Sequence, residues 1–132
     1  KFEARNPKQY RMTEIQNSKT YNLEGRTLSF TKNVRTFLKK LLKTTVNIED
    51  GKTLIKASGS IGANYIEANE ALSKKDFIMG IKICRKEAKE SRYWLRLIET
   101  SSESNIEKER RSLEEEATEL MNIFGSILRK SN

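Results

Sequence analysis

Four stretches of the sequence repeat apolar residues at alternating spacings of three and four, and this repeat constrains the fold more than any other feature. Such spacing places the apolar side chains on one face of an α-helix, whereas a half-buried strand would need strict alternation. The first stretch begins at Leu23 and predicts a helix that ends near Val46. Its apolar face consists of Leu23, Phe30, Val34, Phe37 and Leu41, widened by Leu38 and Leu42.

Capping signals precede the three later stretches. Asn47, which is followed by acidic residues, predicts the start of the second helix. The third and fourth helices are predicted to start at two capping boxes, Ser73 with Asp76 and Ser104 with Glu107. Their core positions are Leu54, Ser58, Ile61, Tyr65, Ala68 and Leu72; Phe77, Ile81, Cys84, Ala88, Ser91, Leu95 and Ile98; and Ile106, Arg110, Leu113, Ala117, Leu120, Phe124 and Ile127. Four helices with short polar connections predict an all-α, antiparallel up-down four-helix bundle over residues 23–132.

Two glycines, Gly59 and Gly62, lie inside the predicted second helix. Each costs a helix about 1 kcal/mol relative to alanine, so some other interaction must offset the loss. We favour a close approach of a neighbouring helix. The alternative is a backbone surface that is left open for a ligand.

Residues 1–22 are polar and follow neither period, which predicts an N-terminal tail or arm. Met12 offers a native start, and the sequence leaves open whether residues 1–11 were added for expression or are a genuine extension. The chain has 132 residues, a length typical of one domain. It has no apolar run long enough to span a bilayer and no signal-peptide pattern, so we expect a cytoplasmic protein without membrane contact.

The residue types present exclude most catalytic arrangements. The chain has no histidine and one cysteine, Cys84, which lies at a core position where cysteine acts as a small apolar residue. Two carboxylate pairs, Glu67 with Glu70 and Glu87 with Glu90, have the spacing of di-metal bundles, but those sites add Glu-x-x-His motifs. We therefore expect no catalytic residue, no metal site, no cofactor and no enzymatic activity. A carboxylate metal enzyme is the alternative.

Positive charge is concentrated on two predicted helix faces, within a chain whose formal net charge is +8. At about 100° per residue, each set falls on one side of its helix. Several cations on one face can neutralise a phosphate backbone without reading bases, which predicts RNA or DNA binding without sequence specificity. The alternative is a solvated basic surface. The predicted nucleic-acid residues are Lys32, Arg35, Lys39 and Lys43 on helix one, and Lys82, Arg85, Lys89, Arg92 and Arg96 on helix three.

The other flank of helix three carries a second apolar surface, formed by Met79, Ile83, Trp94 and Leu97. Apolar residues also lie outside the simple core pattern at Ile66, Met121, Ile123 and Leu128. One small bundle cannot easily bury all of them, so we predict a homo-oligomer whose interface contains Ile66, Met79, Ile83, Trp94 and Leu97. A wider core within one molecule is the alternative.

Residues 58–98 carry a spaced pattern that includes Ser60-Ile61-Gly62-Ala63-Asn64, Glu67-Ala68, Asp76-Phe77, Glu87-Ala88 and Tyr93-Trp94-Leu95. This pattern resembles the bacterial four-helix bundle proteins that are often encoded in intervening sequences of 23S ribosomal RNA genes. A looser similarity extends it from Tyr21 through the fourth helix. The accessory protein of diversity-generating retroelements, which partners a reverse transcriptase, is a more distant relative of that family.

The resemblance implies an antiparallel bundle that assembles as a ring-like homopentamer. It also implies nucleic-acid binding, which is suspected for the family. Four residues that match the motif, Asn64, Glu67, Glu87 and Tyr93, are expected to serve packing and hydrogen bonding. The alternative function is an oligomeric scaffold or accessory subunit whose basic faces meet an acidic protein partner.

Overall fold

The computed structural model describes residues 22–131, which form four α-helices and no strand. The helices are α1 (Leu23–Lys39), α2 (Thr45–Asn69), α3 (Lys74–Leu97) and α4 (Ser104–Lys130). The prediction of an all-α, four-helix chain is confirmed. None of these helices is both long enough and apolar enough to cross a membrane. The arm predicted for residues 1–22 lies outside the described residues, except for Asn22, which caps α1.

Each helix packs against the next, and α1 packs against α4, so α1 and α3 lie diagonally opposite each other. The contacts run in antiparallel order at every pair. Thr27 of α1 lies beside Gly62 of α2, and Thr31, further along α1, donates through Oγ1 to Ser58 O, which is earlier in α2, at 2.8 Å. Arg92 late in α3 donates to Thr118 in the middle of α4, whereas Arg85 lies beside Gly125 near its end. The described chain is therefore an up-down bundle.

The core lies where the seven-residue repeats meet, and its largest fully buried side chains come from all four helices. They include Phe30, Phe37, Leu54, Ile61, Ile81, Leu95, Leu120 and Phe124. Each of these was a predicted core position. Leu38, predicted to widen the core face of helix one, is half-buried against this core. Met121, Ile123 and Leu128 also pack against it, so for these three residues the wider-core interpretation holds.

Glycine permits close helix contact at two places. A methyl group built on Gly62 would lie 3.0 Å from Thr27 Oγ1 of α1, and one built on Gly80 would lie 2.8 Å from Ala68 Cβ of α2. Side chains at these positions would force the helices apart. The close-approach prediction is thus confirmed for Gly62. It is wrong for Gly59, because no atom of a neighbouring helix lies within 4 Å of the corresponding position.

The first helix ends earlier than predicted, at Lys39 rather than near Val46. Thr44 adopts an extended conformation, and its hydroxyl accepts a hydrogen bond from Asn47 N at 3.1 Å, which starts α2 at Thr45. Threonine is a strong N-cap, and its signal was hidden behind the apolar period. Lys43 consequently lies in the connection rather than on α1, and Leu42, predicted to widen the core face, is 62% exposed.

Asn47 is not the predicted N-cap but a buried link between two connections. Its amide donates to Leu42 O at 3.2 Å and to Glu99 O at 3.0 Å, and its side-chain oxygen accepts from Glu99 N at 3.1 Å. These bonds satisfy backbone groups that the helix ends leave unpaired. Asn47 therefore ties the α1–α2 connection to the α3–α4 connection at one end of the bundle.

The remaining boundaries are partly as predicted. Ser73 caps α3 and accepts from Asp76 N at 3.0 Å, which confirms that capping signal. Leu72 is wrong as a core position, because α2 has already ended at Asn69 and the side chain is 79% exposed. The cap of α4 is Glu103 rather than Ser104, and it forms no side-chain capping bond.

Candidate nucleic-acid interface

The basic residues assigned to the first helix are all exposed. Lys32, Arg35 and Lys39 lie on the side of α1 that faces away from the core, and Lys43 continues beyond its end. None of the four forms an ion pair with another residue between 22 and 131. Lys40, by contrast, pairs with Glu109 of α4 at 3.1 Å. The positive charge of the outer face of α1 is thus available to an external anion.

The basic residues of α3 divide into two groups along the helix. Lys82, Arg85 and Lys89, in its first two thirds, are exposed, and within the described range no carboxylate pairs with them. Toward the end of the helix, Arg92 donates to Thr118 Oγ1 at 3.5 Å, and Arg96 pairs with Glu114 at 2.5 Å. The helix thus presents free charge at one end and compensated charge at the other.

Arg96 belongs to a network across the α3–α4 groove, which we call the paired cluster and which consists of Arg96, Glu107, Arg110 and Glu114. Arg110 binds Glu107 through two hydrogen bonds of 2.6 and 2.9 Å and binds Glu114 at 2.9 Å. The hydrogen bond from Arg110 lowers the pKa of Glu107 to about 2. Burial raises the pKa of Glu114, but bonds from Arg96 and Arg110 together hold it below its ordinary value.

The opposite end of the same groove holds Lys82, Arg85, Lys89 and Arg129, which we call the open cluster. Arg85 and Arg129 meet beside the backbone of Gly125. A methyl group built on that glycine would lie 3.8 Å from Arg85 Nε and 3.5 Å from Arg129 Nη1. Sequence reasoning missed Arg129 and Gly125. The signal that could have found Arg129 is its spacing of four residues from a glycine on the α3-facing side of α4.

The groove between α1 and α4 has the opposite character. It encloses about 410 Å³ and is lined by Glu115, Glu116 and Glu119 among other polar residues. Arg26 binds Glu116 at 2.7 Å and Glu119 at 2.6 Å, and the bond to Glu116 raises the pKa of Arg26 above its ordinary value. An acidic groove repels a phosphate backbone, so this side is unsuited to nucleic acid.

The predicted interface residues are exposed to different degrees. Ile66, Met79 and Leu97 are 45%, 53% and 42% exposed, whereas Ile83 is half-buried, and Trp94 is half-buried against the core. Tyr93 stacks edge-on against Trp94, with ring centroids 5.2 Å apart. Other exposed apolar side chains, absent from the predicted interface, are Leu28 on α1, Leu42 in the α1–α2 connection and Ile48 early in α2.

The motif residues contribute little chemistry of their own. Asn64 donates to Ser60 O within α2 at 2.8 Å, and Glu67 is exposed. Glu87 is half-buried beside Lys86, 3.8 Å away. Burial and the nearby Glu90 raise the pKa of Glu87. Cys84 is fully buried, and this burial raises the pKa of its thiol to about 12, so the sulfur is not a nucleophile at neutral pH.

No cluster of histidine, cysteine or carboxylate residues within 22–131 could hold a metal ion.

Comparison with known proteins places the chain in a family and finds a similar solved structure. Residues 19–126 match the family model described as 23S rRNA-intervening sequence protein. No curated protein matches the chain. Among solved structures, the chain is similar to a protein of unknown function from the S23 ribosomal protein family of Bacteroides thetaiotaomicron. The two are 30% identical, with a TM-score of 0.69 over 80% of this chain and 96% of that one.

Proposed function

Because this chain belongs to the 23S rRNA-intervening sequence protein family, we propose that it is a non-enzymatic, oligomeric RNA-binding bundle of the cytoplasm. The observation that carries this proposal is the set of exposed basic residues on α1 and on α3 from Lys82 to Lys89 that have no carboxylate partner among residues 22–131. When surface cations neutralise phosphates, the counterions condensed on the nucleic acid are released, which supplies affinity that does not depend on sequence. Single-stranded, hairpin and duplex RNA all offer such a backbone.

The two basic surfaces lie on diagonally opposite helices. A single straight stretch of nucleic acid therefore cannot touch both on one molecule. Neighbouring copies in an assembly would bring α1 of one subunit and α3 of another within reach of one RNA. The proposed RNA binding and the proposed oligomer thus support each other.

Self-association is supported by exposed apolar side chains on three helices. They include Met79 and Leu97 on α3, Leu28 on α1 and Ile48 on α2. A contact between two unlike surfaces is heterologous, and repeated around an axis it closes a ring. We propose a ring of this kind, with five copies as the resemblance implies. Single substitutions at exposed positions, Met79→Lys and Leu97→Glu, should yield smaller particles in light scattering, while an unchanged mass would count against this interface.

The test of RNA binding is fluorescence anisotropy with a labelled RNA hairpin, measured across a range of salt concentrations. We expect the affinity to fall steeply and linearly on a log–log plot of salt. A variant with Lys39, Lys43, Arg85 and Lys89 changed to Glu should lose binding and keep its helicity. The matched control changes the same number of basic residues elsewhere to Glu, at Lys52, Lys56, Lys74 and Lys108.

Equal loss in both variants would reduce the proposal to a net-charge effect. Retained binding by the first variant would remove both basic surfaces as the interface. Absence of binding from the intact oligomer at low salt would instead favour the scaffold, in which the basic faces meet an acidic protein partner.

A further inference from the structure

We propose that Arg85 and Arg129, two exposed residues on either side of the buried Gly125, act together as a clamp for one phosphate group. The natural ligand in this inference, a phosphate of an RNA backbone, rests on the proposed function. The clamp itself rests on the geometry of the α3–α4 groove.

The two guanidinium groups converge on one point. Arg85 Nε and Arg129 Nη1 lie 3.8 and 3.5 Å from the position that a methyl group on Gly125 would occupy. The nitrogens are therefore at most about 7.3 Å apart, the sum of those two distances. A single phosphate can accept charge-assisted bonds from both sides across such a gap, because each bond spans about 2.7–2.9 Å.

In the paired cluster, the carboxylate of Glu114 is the anion that binds arginines from both helices. Arg96 lies eleven residues after Arg85 on α3, and Glu114 lies eleven residues before Gly125 on α4. Eleven residues make about three helical turns, so in an antiparallel pair the Arg96–Glu114 contact repeats the Arg85–Gly125 contact further along the groove. A second arginine lies one turn from each α4 position, but on opposite sides: Arg110 precedes Glu114 by four residues, whereas Arg129 follows Gly125 by four.

The difference between the two places is the carboxylate. Glu114 bridges Arg96 and Arg110 with bonds of 2.5 and 2.9 Å. At Gly125 the same position on α4 carries only hydrogen, and neither Arg85 nor Arg129 has an ion pair within residues 22–131. Each end of the groove thus has one arginine of α3 near one arginine of α4, and only the paired cluster has a carboxylate between them. An external anion can supply the negative charge that Glu114 provides in the paired cluster.

The surroundings suit a phosphate anion. Lys82 and Lys89 stand one turn to either side of Arg85 on its exposed flank, and no carboxylate of the described chain competes for them. Two planar guanidinium groups offer paired N–H donors, which match the tetrahedral oxygens of a phosphate better than a single lysine does. An RNA phosphodiester and free inorganic phosphate share this chemistry, so the experiment must separate them.

The experiment uses the intact oligomer and three variants, Arg85→Gln, Arg129→Gln and the double variant. Lys56→Gln, an exposed residue on α2, is the control with the same loss of charge. Anisotropy with a labelled RNA hairpin should show about a fivefold or greater loss of affinity for either single variant, and twofold or less for the control. In a parallel arm, inorganic phosphate at constant ionic strength should raise the melting temperature of the wild-type protein more than that of the variants.

The salt dependence tests the clamp most directly. Each phosphate that is neutralised contributes about 0.7–0.9 to the log–log slope. If both arginines hold the same phosphate, the double variant should reduce the slope no more than either single variant does. Two independent contacts would instead reduce the slope twice as much, and that result would overturn the clamp whatever the number of subunits that touch the RNA.

The outcomes separate this inference from the proposed function. RNA binding that falls no further in Arg85→Gln and Arg129→Gln than in Lys56→Gln would overturn the clamp and leave RNA binding standing. If no RNA binds but phosphate stabilises the wild-type protein selectively, the clamp stands as a site for free phosphate and the RNA proposal falls. If neither ligand acts, both fall.

Discussion

The two ends of the α3–α4 groove both carry arginines from each helix, but these arginines are ion-paired at one end and without a carboxylate partner in the described chain at the other. At the paired cluster, Glu107 and Glu114 neutralise Arg96 and Arg110, and the charge is used to hold the helices together. At the open cluster, Gly125 replaces the bridging carboxylate and the charge of Arg85 and Arg129 faces solvent. A count of basic residues treats both ends alike. The structure shows that only one end retains the charge that could bind an external anion.

The difference also has a cost in stability. Like charges that stand close together without a counter-charge repel each other, and a glycine inside a helix loses about 1 kcal/mol relative to alanine. The open cluster has both features near the end of α4. Such a local loss is expected where a protein keeps a surface for binding rather than for its own stability.

Removing the bridging carboxylate Glu114 should make the paired cluster resemble the open cluster, and it should lower the stability of the protein. Glu114→Gln leaves Arg110, whose side chain is 13% exposed, with one charged partner fewer. We expect the free energy of unfolding to fall by about 1–2 kcal/mol, as for the loss of a hydrogen bond between charged groups that are partly exposed. Chemical denaturation at matched protein concentration measures this change.

The control is Glu115→Gln, an adjacent exposed carboxylate that pairs with no residue of the described range. It should change the stability by no more than a few tenths of a kcal/mol. Glu114→Gln should also bind RNA more tightly, since it frees Arg96. An equal effect of both substitutions on stability would mean that the paired cluster does not hold α3 to α4.

Substitutions at Gly125, including one that adds a carboxylate to the open cluster, should have the next largest effect on stability. Gly125→Ala should stabilise the protein by about 1 kcal/mol through helix propensity alone, because a methyl group there meets its neighbours at ordinary contact distances. Glutamate has a slightly lower propensity than alanine, so propensity alone would leave Gly125→Glu less stable than Gly125→Ala. If it pairs with Arg85 and Arg129 as Glu114 pairs with its arginines, Gly125→Glu should instead equal or exceed the alanine variant.

The two variants should differ in RNA binding. Gly125→Ala should keep its affinity, whereas Gly125→Glu should lose it, since an internal anion then occupies the arginines. Thermal melts and anisotropy on the same preparations measure both properties. A glutamate variant that is clearly less stable than the alanine variant would show that the arginines do not converge on this position in solution.

The sequence predicted the core residues better than it predicted the helix ends and the contacts between connections. Ile61, Cys84 and Leu95 were predicted as core residues, since the helical period depends only on local spacing. The end of α1 and the role of Asn47 were not predicted. Asn47 bonds to Glu99, which is 52 residues away in the chain, and no local pattern reports such a contact.

The same limit applied to the candidate site. The charge lines on α1 and α3 could be drawn from residue spacing, and exposure agrees with most of their members. Which arginine is neutralised depends on the register between α3 and α4, which sets Arg96 against Glu114 and Arg85 against Gly125. Within α4 alone, Gly125 is only an unfavourable helix residue.

Acid should weaken the paired end of the groove and leave the open end unaffected. The pKa of Glu107 lies near 2 in the folded protein, below the ordinary 4.5. A carboxylate with a lowered pKa stabilises the fold above its ordinary pKa, and that contribution is lost as the pH falls from about 4.5 toward 2. We expect melting temperatures to drop across this window, and to drop less in Glu107→Gln.

Glu115→Gln is again the control and should follow the wild-type acid profile. Arg129→Gln should follow it as well, because no carboxylate pairs with Arg129 in the described chain. If Arg129→Gln flattened the acid profile as Glu107→Gln does, the open cluster would have a carboxylate partner and the contrast between the two ends would fail.

The smallest effect on stability is expected for a substitution at Arg111, which lies at the edge of the paired cluster. Its guanidinium lies 3.6 Å from Glu107, but its side chain is 64% exposed, whereas Arg110 binds the same carboxylate at 2.6 Å and is 13% exposed. Solvent screens the longer pair, and holding two flexible side chains in place costs entropy, so Arg111→Gln should change the free energy of unfolding by less than about 0.5 kcal/mol. Arg110→Gln should cost several times more, because two carboxylates lose their partner. Denaturation curves of both variants test this difference, and comparable losses would mean that charge alone, rather than geometry and burial, stabilises this end of the groove.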